Sequence, residues 1–185
     1  FPLGSLRLRF NTNHDKNAWD EPAVLKFGMD GLRLTTILVH TMPGVPLIYT
    51  GEEVANDRRL DLFEKVEVDW GRKNEMRTLL GQLGTLRKRN RALTEGTFER
   101  VPATAGESLY AFVRRADDDV VLVLLNFSGN PVPARVSFPV TSEGGLQLEE
   151  LLSGELIMVN SGGGQQLDLG TLPGHGAKVY HMADG

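Results

Sequence analysis

Hydrophobic and polar positions follow two different patterns along the chain, and the change falls near Gly96. Before it, a run with alternating apolar residues, 6–10, is followed by segments whose apolar residues recur at helical spacing. After it, short strand-like runs are separated by Gly, Pro and Ser. The pattern predicts an α/β part followed by an all-β part.

The first part alternates between strand-like and helical patterns. After the first strand, Pro22 marks the start of a short helix, which Gly28 and Gly31 interrupt. A second helical run covers residues 32–41, and the apolar stretch 45–49 has the composition of a strand buried on both faces. The order strand, helix, strand predicts parallel β/α units.

A further helix is predicted after residue 73, with Asn74 as its cap and an apolar stripe on one face. The stripe consists of Met76, Leu79, Leu80, Leu83 and Leu86. Two β/α units leave both edges of their sheet unpaired. We therefore expect this part to be an incomplete domain that self-associates through its open edge.

The second part has the pattern of an antiparallel β domain. Strands are predicted at residues 108–115, 120–127, 134–138, 147–152, 156–160, 165–169 and 177–182. Turn residues separate them, including Gly144-Gly145 and Gly162-Gly163-Gly164. Because many short strands at even spacing predict a β-sandwich, we divide the chain into an α/β part, residues 1–97, and a sandwich, residues 98–185.

Composition excludes several classes of function. The chain carries a formal net charge of −4 and has no basic face of the kind that binds nucleic acid. It has no cysteine, which excludes disulfides, thiolate metal sites and cysteine nucleophiles. No apolar run approaches the length of a membrane span, so we predict no membrane partner. The compartment, cytoplasm, periplasm or exterior, stays open.

Candidate chemistry begins at Asn13-His14-Asp15, directly after the first predicted strand. Polar groups at the C-terminal ends of parallel strands form the active sites of β/α barrels. A carboxylate beside an imidazole can hydrogen-bond sugar hydroxyls and stabilise positive charge on an anomeric carbon. The same tripeptide is equally typical of an Asx turn that caps a strand, and the residues alone leave both interpretations open.

Two motifs add a family resemblance. Residues 10–15, FNTNHD, resemble the fourth conserved region of the α-amylase family, glycoside hydrolase family 13, in which an aromatic and two variable residues precede Asn-His-Asp. Residues 44–53, GVPLIYTGEE, resemble the eighth-strand motif of that family, and the β part resembles its C-terminal sandwich. The resemblance implies the C-terminal portion of a (β/α)8 TIM barrel, its last two β/α units, followed by an antiparallel β-sandwich.

The resemblance also implies roles for individual residues. Asp15 matches the family's third catalytic carboxylate, a transition-state stabiliser that holds sugar hydroxyls beside the scissile bond. His14 matches a histidine that hydrogen-bonds the same sugar, and Asn13 is expected to support this contact. Glu53 matches the glutamate of the eighth-strand motif and Tyr49 one of its aromatic positions, and both are expected to lie behind the substrate contacts.

The sequence departs from the family pattern in two ways. Thr50 stands where a tyrosine is usual, which alters the wall of the pocket. The motifs of the nucleophilic aspartate and the acid/base glutamate are absent, although retaining hydrolysis needs both carboxylates. No motif supports Glu52 and Asp57 as a substitute pair. We therefore expect a C-terminal fragment of an enzyme that cleaves α-1,4-glucosidic bonds of starch, glycogen or maltodextrin, and we expect the isolated chain to be inactive.

Alternative functions stay open at this point. The parent protein can be an α-glucan transglycosylase of the same family, or a non-catalytic carbohydrate-binding or scaffold protein built on the same barrel. The sandwich is a further candidate carbohydrate binder, although its aromatic residues follow the spacing of a strand core. We predict no cofactor or metal site in this chain, and the resemblance leaves any calcium to other parts of the parent.

A few further residues have two interpretations each. Trp19 and Trp70 follow strands on the candidate active face, where they either stack on sugar rings or serve as packing anchors, and Trp19 is the better candidate for sugar contact. Lys16 and Asn17 either line the cleft beside Asp15 or are solvated. The run 117–119 offers three carboxylates to a hard cation, but its place at a predicted hairpin tip favours a solvated turn.

Overall fold

The computed structural model describes residues 2, 4–138, 145–159 and 166–182, and it divides the chain into two compact units, residues 1–85 and 86–185. The boundary falls inside the last long helix of the chain. The first unit is built from helices and a parallel strand pair, and the second from antiparallel strands. The domain division at residue 97 stays a prediction.

The first unit follows the predicted order of strand, helix and strand. The prediction that the run 45–49 is a strand buried on both faces was wrong, because the strand covers only Val45–Pro46 and both Val45 and Ile48 are exposed. The elements of this unit are β1 (Leu8–Arg9), α1 (His14–Trp19), α2 (Ala23–Thr41), β2 (Val45–Pro46), a 3₁₀ turn (Glu52–Val54) and the greater part of α3 (Met76–Arg89). Strands β1 and β2 are parallel, with Leu8 opposite Val45. Helix α2 is therefore the crossover that a parallel strand pair requires.

The two predicted helical runs after Pro22 form a single element with a kink. Pro22 is the N-cap of α2, and Gly28 breaks the helix because its φ of +69° lies in the left-handed region that glycine tolerates. Gly31, by contrast, was wrongly predicted to interrupt the helix; it lies inside α2 and is buried. The apolar residues after the kink face the core, with Leu32, Leu34 and Ile37 all buried.

The close approach of β1 and β2 depends on Gly44. A Cβ atom at this position would lie 2.3 Å from the carbonyl oxygen of Arg7, closer than any side chain permits. The backbone N–H of Val45 donates to the same oxygen at 2.9 Å. The first position of the eighth-strand motif therefore requires glycine, because any side chain there would clash with the backbone of β1.

Helix α3 begins as predicted. The Asn74 side-chain oxygen accepts a hydrogen bond of 2.9 Å from the backbone N–H of Met76, which satisfies one of the free donors of the first turn. The predicted apolar stripe of α3 is buried at all five positions, Met76, Leu79, Leu80, Leu83 and Leu86.

The second unit contains a short helix and two antiparallel sheets. Its elements are α4 (Arg91–Thr94), β3 (Thr97–Val101), β4 (Leu109–Ala116), β5 (Asp119–Asn126), β6 (Val132–Ser137), β7 (Leu146–Glu150), β8 (Glu155–Val159), β9 (Gln166–Leu172) and β10 (Ala177–Met182), with a 3₁₀ turn at Gly106–Ser108. One sheet has the order β3-β4-β5-β10-β7-β8, and the other pairs β6 with β9. Both sheets contribute to one apolar core, which makes this unit a sandwich.

Strand β5 lies at the centre of the larger sheet. Every side chain from Val120 to Leu125 is buried, so both faces of this strand are covered. On the outer face, Arg114 of β4 is 1% exposed and donates to the carbonyl oxygens of Thr97 (3.0 Å), Gly96 (2.9 Å) and Leu93 (3.3 Å). Burial and the positive charge of Arg87 lower the pKa of Arg114 to about 10. One guanidinium thus joins α4, β3 and β4.

All seven predicted strands occur, with shifts of up to three residues at their ends. The predicted ends Asn160 and Gln165 and the turn glycines Gly144 and 162–164 lie outside the described residues. Strand β3 was missed because only Val101 of its five residues is buried. A strand with four exposed side chains carries little apolar pattern.

Candidate active site

The tripeptide Asn13-His14-Asp15 lies where β1 ends and α1 begins. The side-chain oxygen of Asn13 accepts a hydrogen bond of 2.8 Å from the backbone N–H of Lys16, so Asn13 is the N-cap of this helix. The Asx turn that the sequence allowed would cap a strand, whereas Asn13 caps a helix and accepts from the third residue on. This cap is compatible with the functional interpretation, because it uses Asn13 and not the next two side chains.

His14 and Asp15 are presented to solvent side by side. Their side chains are 65% and 66% exposed, and His14 Nε2 lies 3.5 Å from Asp15 Oδ1. An exposed carboxylate with an adjacent imidazole offers acceptors and a donor to the hydroxyls of a sugar ring. Their assigned roles in substrate binding stay predictions.

Asn17 holds α1 against a distant part of the first unit. It is 4% exposed, and its Oδ1 accepts a hydrogen bond of 2.7 Å from the backbone N–H of Leu60. The solvated interpretation is wrong because Asn17 is buried. Asn17 lines the small pocket that Thr12 and Glu52 also line, and a place in the substrate cleft stays a prediction. Lys16 next to it is exposed and forms an ion pair with Asp20 at 3.4 Å.

The second motif forms a tight turn after β2. Glu53 Oε2 accepts a hydrogen bond of 3.0 Å from the backbone N–H of Gly51, and Glu52 Oε2 accepts one of 2.8 Å from the backbone N–H of Tyr49. Both glutamates thus hold the backbone of the turn. The supporting role predicted for Glu53 and Tyr49 stays a proposal. Thr50 lines a small cavity beside the turn.

Glu52 is the residue that sequence reasoning undervalued. It is 8% exposed, and its Oε1 has no hydrogen-bond partner among the described residues. Burial raises its pKa to about 7, and the neighbouring charge of Glu53 adds to this, against the hydrogen bonds from Tyr49 and Asn11. The motif itself directs attention to Glu53, and no local pattern reports that the preceding carboxylate is buried.

The tryptophans differ in exposure. Trp19 ends α1 and is 71% exposed, which counts against the packing-anchor interpretation and leaves its ring available for stacking. Trp70 lies in the segment before α3 and is about half exposed. Trp19 shares its helix with His14 and Asp15, so these three side chains belong to one structural element.

The aspartates 117–119 do not form a cation site. Asp117 pairs with Arg91 at 3.2 Å at the hairpin tip. Asp119 points elsewhere: its Oδ2 accepts the backbone N–H of Ala92 at 2.9 Å, and its Oδ1 lies 3.3 Å from Nε2 of His181. Across the described ranges, no three His, Asp or Glu side chains are grouped as metal ligands would be.

The aromatic residues of the sandwich form a tilted cluster. Phe98 and Phe112 meet at 36°, Phe112 and Tyr110 at 55°, and Tyr110 and Phe127 at 69°, with ring centres 5.1 to 6.5 Å apart. Phe112 is fully buried, and the Arg100 guanidinium covers the Tyr110 ring at 5.2 Å. Such rings do not share one plane, so this geometry does not favour a flat sugar-binding platform.

In the part of the chain that the structure describes, no helix is long and apolar enough to cross a membrane.

Known proteins share sequence and fold with this chain. No protein-family model matches the chain. It is 32% identical to Neopullulanase 2 of Thermoactinomyces vulgaris over 152 residues, which make up 80% of this chain and 25% of that protein. It is 24% identical to the α-amylase MalA of Haloarcula japonica over 161 residues, 84% of this chain and 22% of that protein. The chain thus spans about a quarter of the length of these curated relatives.

The fold agrees with these similarities. A noncanonic maltogenic α-amylase, AmyB of Thermotoga neapolitana, superposes with a TM-score of 0.85 at 18% identity, over the whole of this chain and 43% of that one. This confirms the predicted fold class, the end of a β/α barrel followed by an antiparallel sandwich. The chain belongs to the α-amylase family, glycoside hydrolase family 13, and matches the C-terminal region of its enzymes.

Proposed function

We propose that this chain supplies part of the substrate-binding site of an enzyme that acts on α-1,4-glucans, with Asp15 and His14 in contact with one glucose ring. The observation that carries the proposal is the exposure of these two neighbouring side chains in the first turn of α1, the helix that Asn13 caps after β1. The relatives support the substrate class, since they are named as amylases and a neopullulanase.

The chemistry proposed for Asp15 is the role that the family resemblance implies, and the charge and exposure of this side chain are compatible with it. Cleavage of a glycosidic bond places positive charge on the anomeric carbon and ring oxygen. A carboxylate held beside the ring lowers the energy of that charge and accepts hydrogen bonds from the ring hydroxyls. His14, 3.5 Å from this carboxylate, supplies a ring N–H to a hydroxyl of the same sugar.

Trp19 extends this contact surface. Its exposed indole ring can lie against the apolar face of a glucose unit, which removes apolar area of both partners from water. The ring lies at the C-terminal end of the helix that starts with His14, so it would contact the same or the adjacent glucose unit. Asn13 contributes by capping α1 and not by contacting the sugar.

The isolated chain is proposed to bind glucan without cleaving it. Retaining hydrolysis uses a nucleophile and an acid/base carboxylate that flank the bond. The substitute pair Glu52 and Asp57 does not meet this need, because Glu52 is buried and Asp57 forms an ion pair with Arg72 at 2.9 Å. The parent enzyme would contribute the remaining carboxylates and use them for hydrolysis or glycosyl transfer.

The test combines calorimetry with an activity assay on the 185-residue chain. Maltotriose binding is expected to weaken about tenfold in Asp15→Ala and in His14→Ala, as for loss of hydrogen bonds that involve a charged group. Asp30→Ala is the matched control, since this aspartate is exposed on α2 outside the candidate site. Release of reducing sugar from starch by the isolated chain would contradict its inactivity, and equal affinity in Asp15→Ala and Asp30→Ala would contradict the role of Asp15.

A further inference from the structure

A pocket of the first unit lies between the end of β1, helix α1 and the first turns of α2. Its volume is about 140 Å³, and residues of all three segments line it. A cavity of about 150 Å³ engineered into another protein holds one benzene molecule, so this pocket has the volume for one six-membered ring. We name it the α1–α2 pocket. Its aromatic and charged lining residues are Phe10, Lys16, Asp20, Glu21, Lys26 and Phe27.

Charged side chains of both signs line the α1–α2 pocket in equal number. Lys16 and Lys26 supply ammonium groups, and Asp20 and Glu21 supply carboxylates. Lys16 Nζ lies 3.4 Å from Asp20 Oδ2, so part of this charge is neutralised within the wall of the pocket. The lining offers hydrogen-bond donors and acceptors without a net charge. It therefore suits a neutral ligand that carries several hydroxyl groups.

Two phenylalanine rings give the same pocket an apolar surface. Phe10 is 36% exposed and Phe27 is 38% exposed, so each ring is partly open to solvent. Lys26 Nζ lies 5.7 Å from the centre of the Phe27 ring, which places an ammonium donor beside an apolar surface. A pyranose ring has apolar C–H faces and a rim of hydroxyl groups. Aromatic surface next to polar groups matches these two parts of a sugar.

Helix α1 connects the α1–α2 pocket to the candidate active site. Lys16 directly follows Asp15, and successive residues lie about 100° apart around a helix. Asp15 and Trp19 are four residues apart and share one side of α1, whereas Lys16 and Asp20 share the adjacent side. One α-glucan chain can therefore contact both sides of this helix with two of its glucose units.

We propose that the α1–α2 pocket binds one glucose unit of the same α-glucan that contacts Asp15 and His14. The inference rests on the proposed function, from which it takes the ligand class. The two phenylalanine rings contact the C–H face of the glucose unit. The two lysines donate hydrogen bonds to its hydroxyl groups, and the two carboxylates accept hydrogen bonds from them.

The same lining disfavours other classes of ligand. A phosphate or sulfate would meet the carboxylates of Asp20 and Glu21, and Lys16 is already paired with one of them. A hard cation takes six or more oxygen ligands, and among the described residues no three His, Asp or Glu side chains are grouped for a metal. A purely apolar ligand would remove charged groups from water without giving them partners.

The test is an NMR titration of the 185-residue chain with maltotriose. We expect intermolecular NOEs between ring protons of Phe10 or Phe27 and carbon-bound protons of a glucose unit. Phe27→Ala is expected to weaken maltotriose binding about fivefold, as for loss of one aromatic contact. Phe63→Ala is the matched control and should leave the affinity unchanged, because Phe63 is 86% exposed and does not line the pocket.

A second pair of variants changes only exposed side chains, so it does not depend on whether Phe27→Ala folds. Lys26 and Lys73 are both exposed, and of the two only Lys26 lines the pocket. Lys26→Ala should weaken maltotriose binding about threefold, as for loss of one hydrogen bond. Lys73→Ala should leave it unchanged, and equal affinities for the two variants would count against the pocket.

The outcomes separate this inference from the proposed function. Absence of NOEs to both phenylalanine rings, at maltotriose concentrations that shift the His14 and Asp15 amides, would overturn the inference alone. Ring NOEs with unchanged affinity in Asp15→Ala would support the pocket and contradict the role proposed for Asp15. Shifts of the Lys26 and Phe27 amides with inorganic phosphate but not with maltotriose would identify an anion site and overturn the inference. No binding of maltotriose to the unmodified chain would overturn both.

Discussion

Asn17 Oδ1 accepts a hydrogen bond of 2.7 Å from the backbone N–H of Leu60, 43 residues further along the chain. Asn17 follows His14 and Asp15 within α1, and Leu60 lies in the segment after the second family motif. A buried side chain therefore joins α1 to the segment after the second motif, in addition to the pairing of β1 with β2. The exposed candidate residues rest on this buried support.

Asn17→Ala is expected to destabilise the first unit. The substitution leaves the Leu60 N–H buried without an acceptor, which costs about 1–3 kcal/mol. Urea unfolding followed by tryptophan fluorescence measures this directly, since both tryptophans lie in residues 1–85. Lys16→Ala, at the exposed position next to it, should change the unfolding midpoint little. Equal midpoints for the two variants would contradict the buried role of Asn17.

Glu52 is expected to make the stability of the first unit depend on pH. Its pKa is about 7 in the folded chain and near 4.5 in the unfolded chain, so the unfolded state releases its proton first as pH rises. The stabilisation is full below pH 4.5 and is lost as pH rises through 7, by roughly 3 kcal/mol. Urea unfolding of the chain and of Glu52→Gln at pH 5 and pH 8 tests this. The variant should be relatively more stable at pH 8 than at pH 5, and parallel pH profiles would argue against the buried carboxylate.

Arg114→Met is expected to destabilise the second unit. The change removes the donor that serves the carbonyl oxygens of Leu93, Gly96 and Thr97 in a buried position, at a cost of about 3 kcal/mol. Arg114→Lys should recover only part of this loss, because an ammonium group cannot reproduce the planar fork of donors. Denaturation followed by far-ultraviolet circular dichroism provides the measurement. The exposed neighbour Arg115→Met is the control, and a loss of equal size there would refute the account.

The elements predicted well are those whose pattern is local. Helix α3 has an apolar stripe, and its Asn74 cap lies directly before it, so the sequence contains the whole signal. The strands of the second unit are separated by Gly, Pro and Ser, and their core positions alternate or run continuously, as in β5. Helix α1 was missed because six residues carry too little periodicity, and its capping residue lies within the Asn-His-Asp motif.

The supporting residues of the candidate site depend on contacts between distant segments. The partner of Asn17 is a backbone group 43 residues away, and a sequence does not show which asparagine will be buried. The burial of Glu52 is likewise not visible in the sequence, since it results from the packing of the turn after β2 against other parts of the first unit. The motifs therefore indicated the residues proposed to contact substrate, whereas the burial of Asn17 and Glu52 is seen only in the structure.

The exposed apolar side chains of the parallel strand pair predict self-association. Leu8 of β1 is 55% exposed and Val45 of β2 is 45% exposed, and within the described residues the two strands pair only with each other. Unpaired strand edges with apolar side chains favour contact between chains. Sedimentation velocity should show a mass that rises with concentration, and Leu8→Lys should reduce this rise. A monomer at every concentration would contradict the prediction.

The most direct test of the central claim is a nitrogen-15 NMR titration of the 185-residue chain with maltotriose. Part of an α-glucan site at the start of α1 predicts shifts of the His14 and Asp15 amides and of the Trp19 indole N–H, all saturating together. Asp15→Ala should weaken these shifts, and Trp19→Ala should weaken binding without changing stability, because its ring is exposed. Shifts confined to the sandwich, or none in α1 at any maltotriose concentration, would contradict the claim.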